Sequence, residues 1–249
     1  HGLFGSTRVW RLVIDDLNAA GYRTITYDRP GAGLSDKSLS ADYSQPAHAD
    51  HAAALLDALG IDQALIVGHS AGGNVAAHFA LRHPERMTAL ALVDAAVLAG
   101  GPPGFVGGIV AFPPITRWAQ VILNAAFTRE TLAGSLRGFY ADPSLVDEEV
   151  ICEYWRAFET PGAFNGLIGL TRDAAPNRLT EAQIADISAH TGVIWGMQDT
   201  VTPVEQGQRL ADLLPDAVWL PIEEAGHQPM EEQPDAFVAA LTSLLADRP

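Results

Sequence analysis

The sequence predicts an α/β fold: a mostly parallel sheet flanked by helices, with a helical cap inserted between two of its strands. Three observations predict it. Short apolar runs alternate with segments of helical period along most of the chain, the βαβα rhythm of a parallel sheet wrapped by helices. That rhythm breaks after Asp94 and resumes near Ala189, with only helical patterns after a Gly/Pro-rich stretch. Finally, ALIVGHSAGG, starting at Ala64, runs an apolar strand straight into a serine fenced by glycines, which demands a tight strand-to-helix corner.

Taken in order, Thr7 to Ala20 reads as a helix closed by Gly21, and Arg23 to Asp28 (RTITYD) as a strand. Ser44 to Leu59 is a helix that Gly60 stops, Ala64 to Val67 a strand, and Gly72 to Leu81 the helix that follows the corner. Ala89 to Val93 is a further apolar strand. Gly100 to Pro114 is rich in Gly and Pro and reads as a hinge or access loop. Helical patterns follow at Ile115–Phe127, Arg129–Tyr140, Ser144–Phe158, Ala163–Leu170 and Glu181–Ala189. Val193 to Trp195 is a short strand, Pro203 to Leu214 a helix, Ala217 to Pro221 the last strand and Pro234 to Ala246 a closing helix. The core is thus expected over 1–95 and 186–249, and the cap over 96–185.

The 249 residues suit one domain with an insertion, and 48% apolar residues suffice for a full-sized core. No run approaches the length of a membrane span. A net charge of −15, from 15 Lys and Arg against 30 Asp and Glu, argues against nucleic acid or an anionic membrane as partner. A small-molecule substrate is the expected partner, and nothing specifies an oligomeric state. The single cysteine, Cys152, excludes an internal disulfide framework and a cysteine-based metal cluster. No metal or organic cofactor is implied. The chain opens on HGLFGS, with neither an initiator Met nor a strand before it, so N-terminal strands are expected to be missing. With no leader to read, the cytoplasm is the default location.

At the corner, the Ser70 hydroxyl is pushed out above the sheet, and the first free N–H groups of the following helix face whatever binds there. A serine hydroxyl needs a base within hydrogen-bond reach and a carboxylate to hold that base. His227, in GHQPMEEQP after the last strand, is the base candidate, and Pro229 is expected to keep the next residues from becoming helix. His48, His51, His78 and His83 fall in helices and read as surface or packing residues. His69 reads as structural, since neighbours on a sharp corner point apart, and His190 lies at the wrong end of its strand. Asp199, in WGMQDTVTP, is the acid candidate, and Asp94, directly after ALALV, is the alternative acid. Asp28 before RPGAG reads as a turn-holding side chain. The N–H of Ala71 is one oxyanion-hole candidate, and Leu3, freed by the turn at Gly2, presents the second. Ser70, Asp199 and His227 then occur in the order Ser…Asp…His, each after a different strand.

Nearly the whole chain resembles the α/β-hydrolase family, in particular its capped, serine-nucleophile, esterase-like members. HGLFGS resembles the family's His-Gly oxyanion loop, YDRPGAGLSD its D-x-x-G-x-G-x-S segment, and VGHSAGG its elbow. HPERMTALALVDA resembles its next helix-to-strand link, WGMQDTVTP its acid loop and GHQPMEEQP its histidine loop. The resemblance implies Ser70 as nucleophile, His227 as base, Asp199 as acid, oxyanion donors at Leu3 and Ala71, and a lid near 96–185. In the family a strand precedes the His-Gly loop and lies between the YDRPG strand and the elbow strand, with two more before it. The expected activity is hydrolysis of a small, largely apolar carboxylic ester through an acyl-Ser70 intermediate. The same triad would also serve a C–C bond in a ring-cleavage product, a lactone or an amide, and the scaffold could instead serve as a ligand-binding protein or be an inactive fragment. Cap aromatics Phe112, Trp118, Phe139, Tyr140, Trp155, Phe158 and Phe164 are the candidates for an apolar pocket wall.

Overall fold

The structure, a computed structural model, describes residues 1–98, 118, 121–122, 125–174 and 177–246. Four parallel strands form one sheet in the order β1 (Ala64–His69), β2 (Met87–Val93), β3 (Thr191–Gly196) and β4 (Ala217–Ile222). In register, His69 lies beside Val93, and Val93 beside Ile194, which lies beside Leu220. The carboxyl ends of all four strands therefore share one edge, where sites on open parallel sheets form.

Alternation along the strands sends side chains to two cores. From β2, Ala91 and Val93 point with Ile194 into a cluster holding Val9, Val13, Phe237 and Leu241. Leu90 and Leu92 point with Val193 and Trp195 into the other, which holds Phe79, Ile184, Ile187 and Leu210. Each fully buried Leu, Ile or Val of this kind contributes about 1.5–3 kcal/mol. The flanking helices are α1 (Ile14–Ala19), α2 (Gln45–Ala58) and α3 (Ala71–Arg82). The insertion contributes α4 (Arg129–Phe139), α5 (Glu148–Trp155) and α6 (Ala163–Ala174). Then come α7 (Glu181–Ala185), α8 (Val204–Leu213), α9 (Pro229–Glu232) and α10 (Pro234–Ala246). The apolar face of the insertion is continuous with the first core, through Leu132, Leu136, Val150 and Tyr154.

Several expectations need correction. Thr7 to Ala20 is not one helix: a 3-10 turn, Thr7–Trp10, precedes the short α1. Arg23 to Asp28 forms no ladder. Its Ile25 and Tyr27 line, together with Leu65 and Val67 of β1, an apolar cavity of about 410 Å³. A strand needs a neighbour's N–H and C=O groups, and alternation alone does not supply one. Pro229 does not prevent a helix; it begins α9, because at the first helical position its missing N–H would have no partner anyway. The expected loop at Gly100–Pro114 and nearly all of Ile115–Phe127 lie outside the described residues.

Candidate active site

β1 ends at His69 and α3 begins at Ala71, so Ser70 alone makes the corner, at φ 53° and ψ −120°. Its N–H donates to Val93 O (2.9 Å), and its own carbonyl accepts from Gly73 N and Ala96 N, both at 2.9 Å. The strand and helix can meet this closely because residue 68 is glycine: a Cβ there would lie 2.4 Å from Gly72 O. The Ser70 hydroxyl is 3.0 Å from Nε2 of His227, whose Nδ1 is 2.7 Å from Oδ2 of Asp199. The three side chains come from the ends of β1, β3 and β4.

Asp199 is fixed by its own loop. Its Oδ1 accepts from Val201 N (2.7 Å) and Thr202 N (3.0 Å), and the Thr202 hydroxyl donates to Oδ2 at 2.5 Å. Burial pushes the Asp199 carboxyl up. The hydrogen bond and charge of His227, helped by Thr202, outweigh that and hold it below the ordinary value. With Asp199 ionised, His227 Nδ1 carries the proton and Nε2 is left to accept from Ser70.

The alternative acid, Asp94, does not reach the imidazole in a hydrogen bond. It is fully buried, and its Oδ1 accepts from Gly196 N at 2.9 Å. Burial, then the neighbouring charge of Asp199, push its carboxyl well above the usual range.

The loop bearing Leu3 lies against the corner. A Cβ on Gly2 would meet Ser70 Cβ at 3.1 Å. Arg29 holds that loop, donating from Nη2 to His1 O at 3.0 Å, while its backbone N–H donates to His1 Nε2 at 3.2 Å. Asp28, as expected, holds turns: its carboxylate accepts from Thr7 N (2.7 Å) and Leu34 N (2.8 Å). The Ala71 N–H is the first of α3 and has no partner within the helix.

The sequence gives no signal for several supporting contacts. His69 donates from Nε2 to the carbonyl of His227 (2.7 Å), so it steadies the histidine loop rather than the serine. Burial and the adjacent His227 hold its imidazole neutral, well below the ordinary value. Glu231 and Glu232, both buried, fasten the same loop to the insertion. His69, Asp94 and His227 each offer one potential metal-ligand atom within 4.8 Å of the others. Both nitrogens of His227 already engage Ser70 and Asp199, and Nε2 of His69 is taken, so this group reads as the surroundings of the relay.

The aromatics expected to form a pocket wall divide. Phe139 and the His227 ring make a T-shaped contact, with centroids 6.0 Å apart. Phe158 and Phe164 (5.9 Å) join Phe127, which also faces Trp155, in a cluster reaching Phe4, next to Leu3. Tyr140 instead turns its hydroxyl to Glu231 as a packing residue. Trp118 is 68% exposed among the described residues. Phe112 lies outside the described residues.

A family model of the alpha/beta hydrolase fold matches residues 1–234, and the chain belongs to that family. It is similar to the 2-hydroxy-6-oxo-6-phenylhexa-2,4-dienoate hydrolase of Burkholderia cepacia, at 32% identity over 92% of this chain and 79% of the relative. It is also similar to the 2-hydroxymuconate semialdehyde hydrolase of Pseudomonas sp. (strain CF600), at 31% identity over 96% of this chain and 81% of the relative. Among solved structures, a meta-cleavage product hydrolase from Pseudomonas fluorescens IP01 superposes with a TM-score of 0.78 at 27% identity, covering 98% of this chain and 86% of its own. Among the described residues, no helix is long and apolar enough to cross a membrane.

Proposed function

We propose that this hydrolase uses Ser70, His227 and Asp199 to cleave a carbon–carbon bond next to the ketone of a dienone acid of the ring-cleavage type. The Ser70–His227–Asp199 relay, at 3.0 and 2.7 Å, carries the serine chemistry. The names of the relatives carry the choice of bond, and they favour the C–C alternative over the simple ester that the sequence alone suggests.

The chemistry follows from what each group can hold. Ser70 Oγ adds to the ketone carbon as His227 Nε2 takes its proton, and Asp199 steadies the imidazolium. The amides of Leu3 and Ala71 receive the oxyanion. Losing one such donor typically costs about 10²–10³ in turnover. Collapse then expels carbon, which leaves only if its electron pair is delocalised. In a 2-hydroxy-6-oxo-dienoate, ketonisation at the hydroxyl end provides that sink. The pair passes into the unsaturated 2-oxo acid, which picks up a proton, while the other fragment stays as acyl-Ser70. Water, deprotonated by His227, releases it as a carboxylic acid. The aromatic cluster around Phe127 and Phe158 suits an apolar or aryl end of such a substrate.

The test is a substrate panel of dienone acids, p-nitrophenyl esters and lactones, with Ser70→Ala as control. The reading expects kcat/KM for a dienone acid to exceed that for every ester, and both to vanish in Ser70→Ala. Turnover of esters with none of any dienone acid would return the function to ester hydrolysis.

A further inference from the structure

Two consecutive glutamates follow the histidine loop, and neither is accounted for by the relay. Oε1 of Glu232 accepts from the N–H groups of Gly226 (2.9 Å) and Gln228 (3.0 Å), the residues on either side of His227. Its other oxygen accepts from Ala141 N at 2.7 Å, just beyond the end of α4. The N–H of His227 itself donates to Phe139 O at 2.7 Å. Beside it, Glu231 takes the hydroxyls of Tyr140 (2.7 Å) and Tyr154 (2.6 Å) and the guanidinium of Arg11. One carboxylate thus grips the backbone around the imidazole and, through its other oxygen, the cap. The neighbouring carboxylate grips α5 and the segment after α4.

We infer that Glu232 is a positioning residue for His227, and that it makes the seating of the cap on the core a determinant of where the imidazole lies. This rests on the triad reading above. An amide donating to a carboxylate makes a stronger bond than one donating to a neutral group, and here three amides share one carboxylate. A displacement of about 1 Å in a reacting group can cost roughly 10²-fold in rate. The rest of the local design agrees: His69 fixes the His227 carbonyl from the core side while Phe139 fixes its N–H from the cap side.

The experiment uses a fluorophosphonate probe on the full chain, with three variants. Glu232→Gln keeps the shape but sets an NH₂ against one of the amides. Ala141→Pro removes the cap-side donor and sets a ring carbon in its place against Glu232 Oε2, so it breaks that link from the cap side; Tyr140, at φ −93° and ψ 143°, already has the backbone that a following proline requires. Leu210→Ala, in the core away from the site, supplies a comparable loss of stability without touching the loop. Each is assayed well below its own Tm. Glu232→Gln is expected to label about 10- to 100-fold more slowly, with kcat falling and KM nearly unchanged, and to lose or shift the downfield NMR signal of the His227 Nδ1 proton. Ala141→Pro should move the same readouts in the same direction, and Leu210→Ala should move none of them. Parent-like labelling and an unmoved proton signal in Glu232→Gln would overturn the positioning role. A parent-like Ala141→Pro would overturn the link to the cap, and an equal loss in Leu210→Ala would reduce the effect to stability. Failure of the parent to label at all would instead strike the triad reading.

Discussion

Ser70 sits where an L side chain costs of order 1–3 kcal/mol, and it stays there because its N–H and carbonyl are bonded to β2 and to the segments after it. Glycine adopts that conformation freely, at a cost of about 0.4–1 kcal/mol in unfolded-chain entropy. Ser70→Gly should therefore melt about 2–4 °C above Ser70→Ala while both lose probe labelling; equal melting temperatures would mean an unstrained corner. The two aspartates make a second pair of expectations. Asp199→Asn should cut kcat by about 10⁴, as expected when the wrong imidazole tautomer is favoured. Asp94→Asn keeps an oxygen for Gly196 N–H and should retain most activity. It should also change the pH dependence of stability. The folded chain keeps the Asp94 proton where the unfolded chain, titrating near 3.8, has released it, so stability declines as pH rises through that window. The Tm advantage of Asp94→Asn over the parent should accordingly grow as pH rises above about 4 in thermal melts.

At the scale of elements, the contact between β1 and α3 sets the height of the serine above the sheet. Gly68→Ala would drive a methyl into the first turn of α3, 2.4 Å from a carbonyl, and is expected to abolish labelling even if the chain still folds by circular dichroism. Normal labelling in a folded Gly68→Ala would show that the two elements can separate without cost. This corner was legible in the sequence because everything that makes it is local: an apolar run, two glycines, a helix. The relay was legible through order alone, since each member follows its own strand. Non-local features were not. RTITYD has the alternation of a strand, yet whether it pairs depends on a neighbour that its own residues do not encode. Glu231 and Glu232 meet Tyr140 and Ala141 from 91 positions away, and nothing in MEEQP distinguishes a buried clamp from a solvated acidic pair. Tyr140 shows the same limit: aromatic character made it a wall candidate, while tertiary packing turned its hydroxyl to Glu231.

Across the whole molecule, the fold also carries a titratable group that works against it in acid. His48, on α2, is almost fully buried, and burial, with Arg29 and His51 nearby, lowers its imidazole to about 3. The unfolded chain takes up a proton there below the ordinary value of 6.5 while the folded chain does not. Stability is thus complete above that pH and erodes as pH falls toward 3, by roughly 2 kcal/mol at pH 5. His48→Leu should flatten that part of a denaturation profile taken from pH 7 to 5, and an unchanged slope would place the acid sensitivity elsewhere. The opposite case, a cost borne at every pH, is the bent backbone at residue 70. Serine there forgoes the easier folding that glycine would give, and what it would supply in exchange is the hydroxyl proposed as nucleophile.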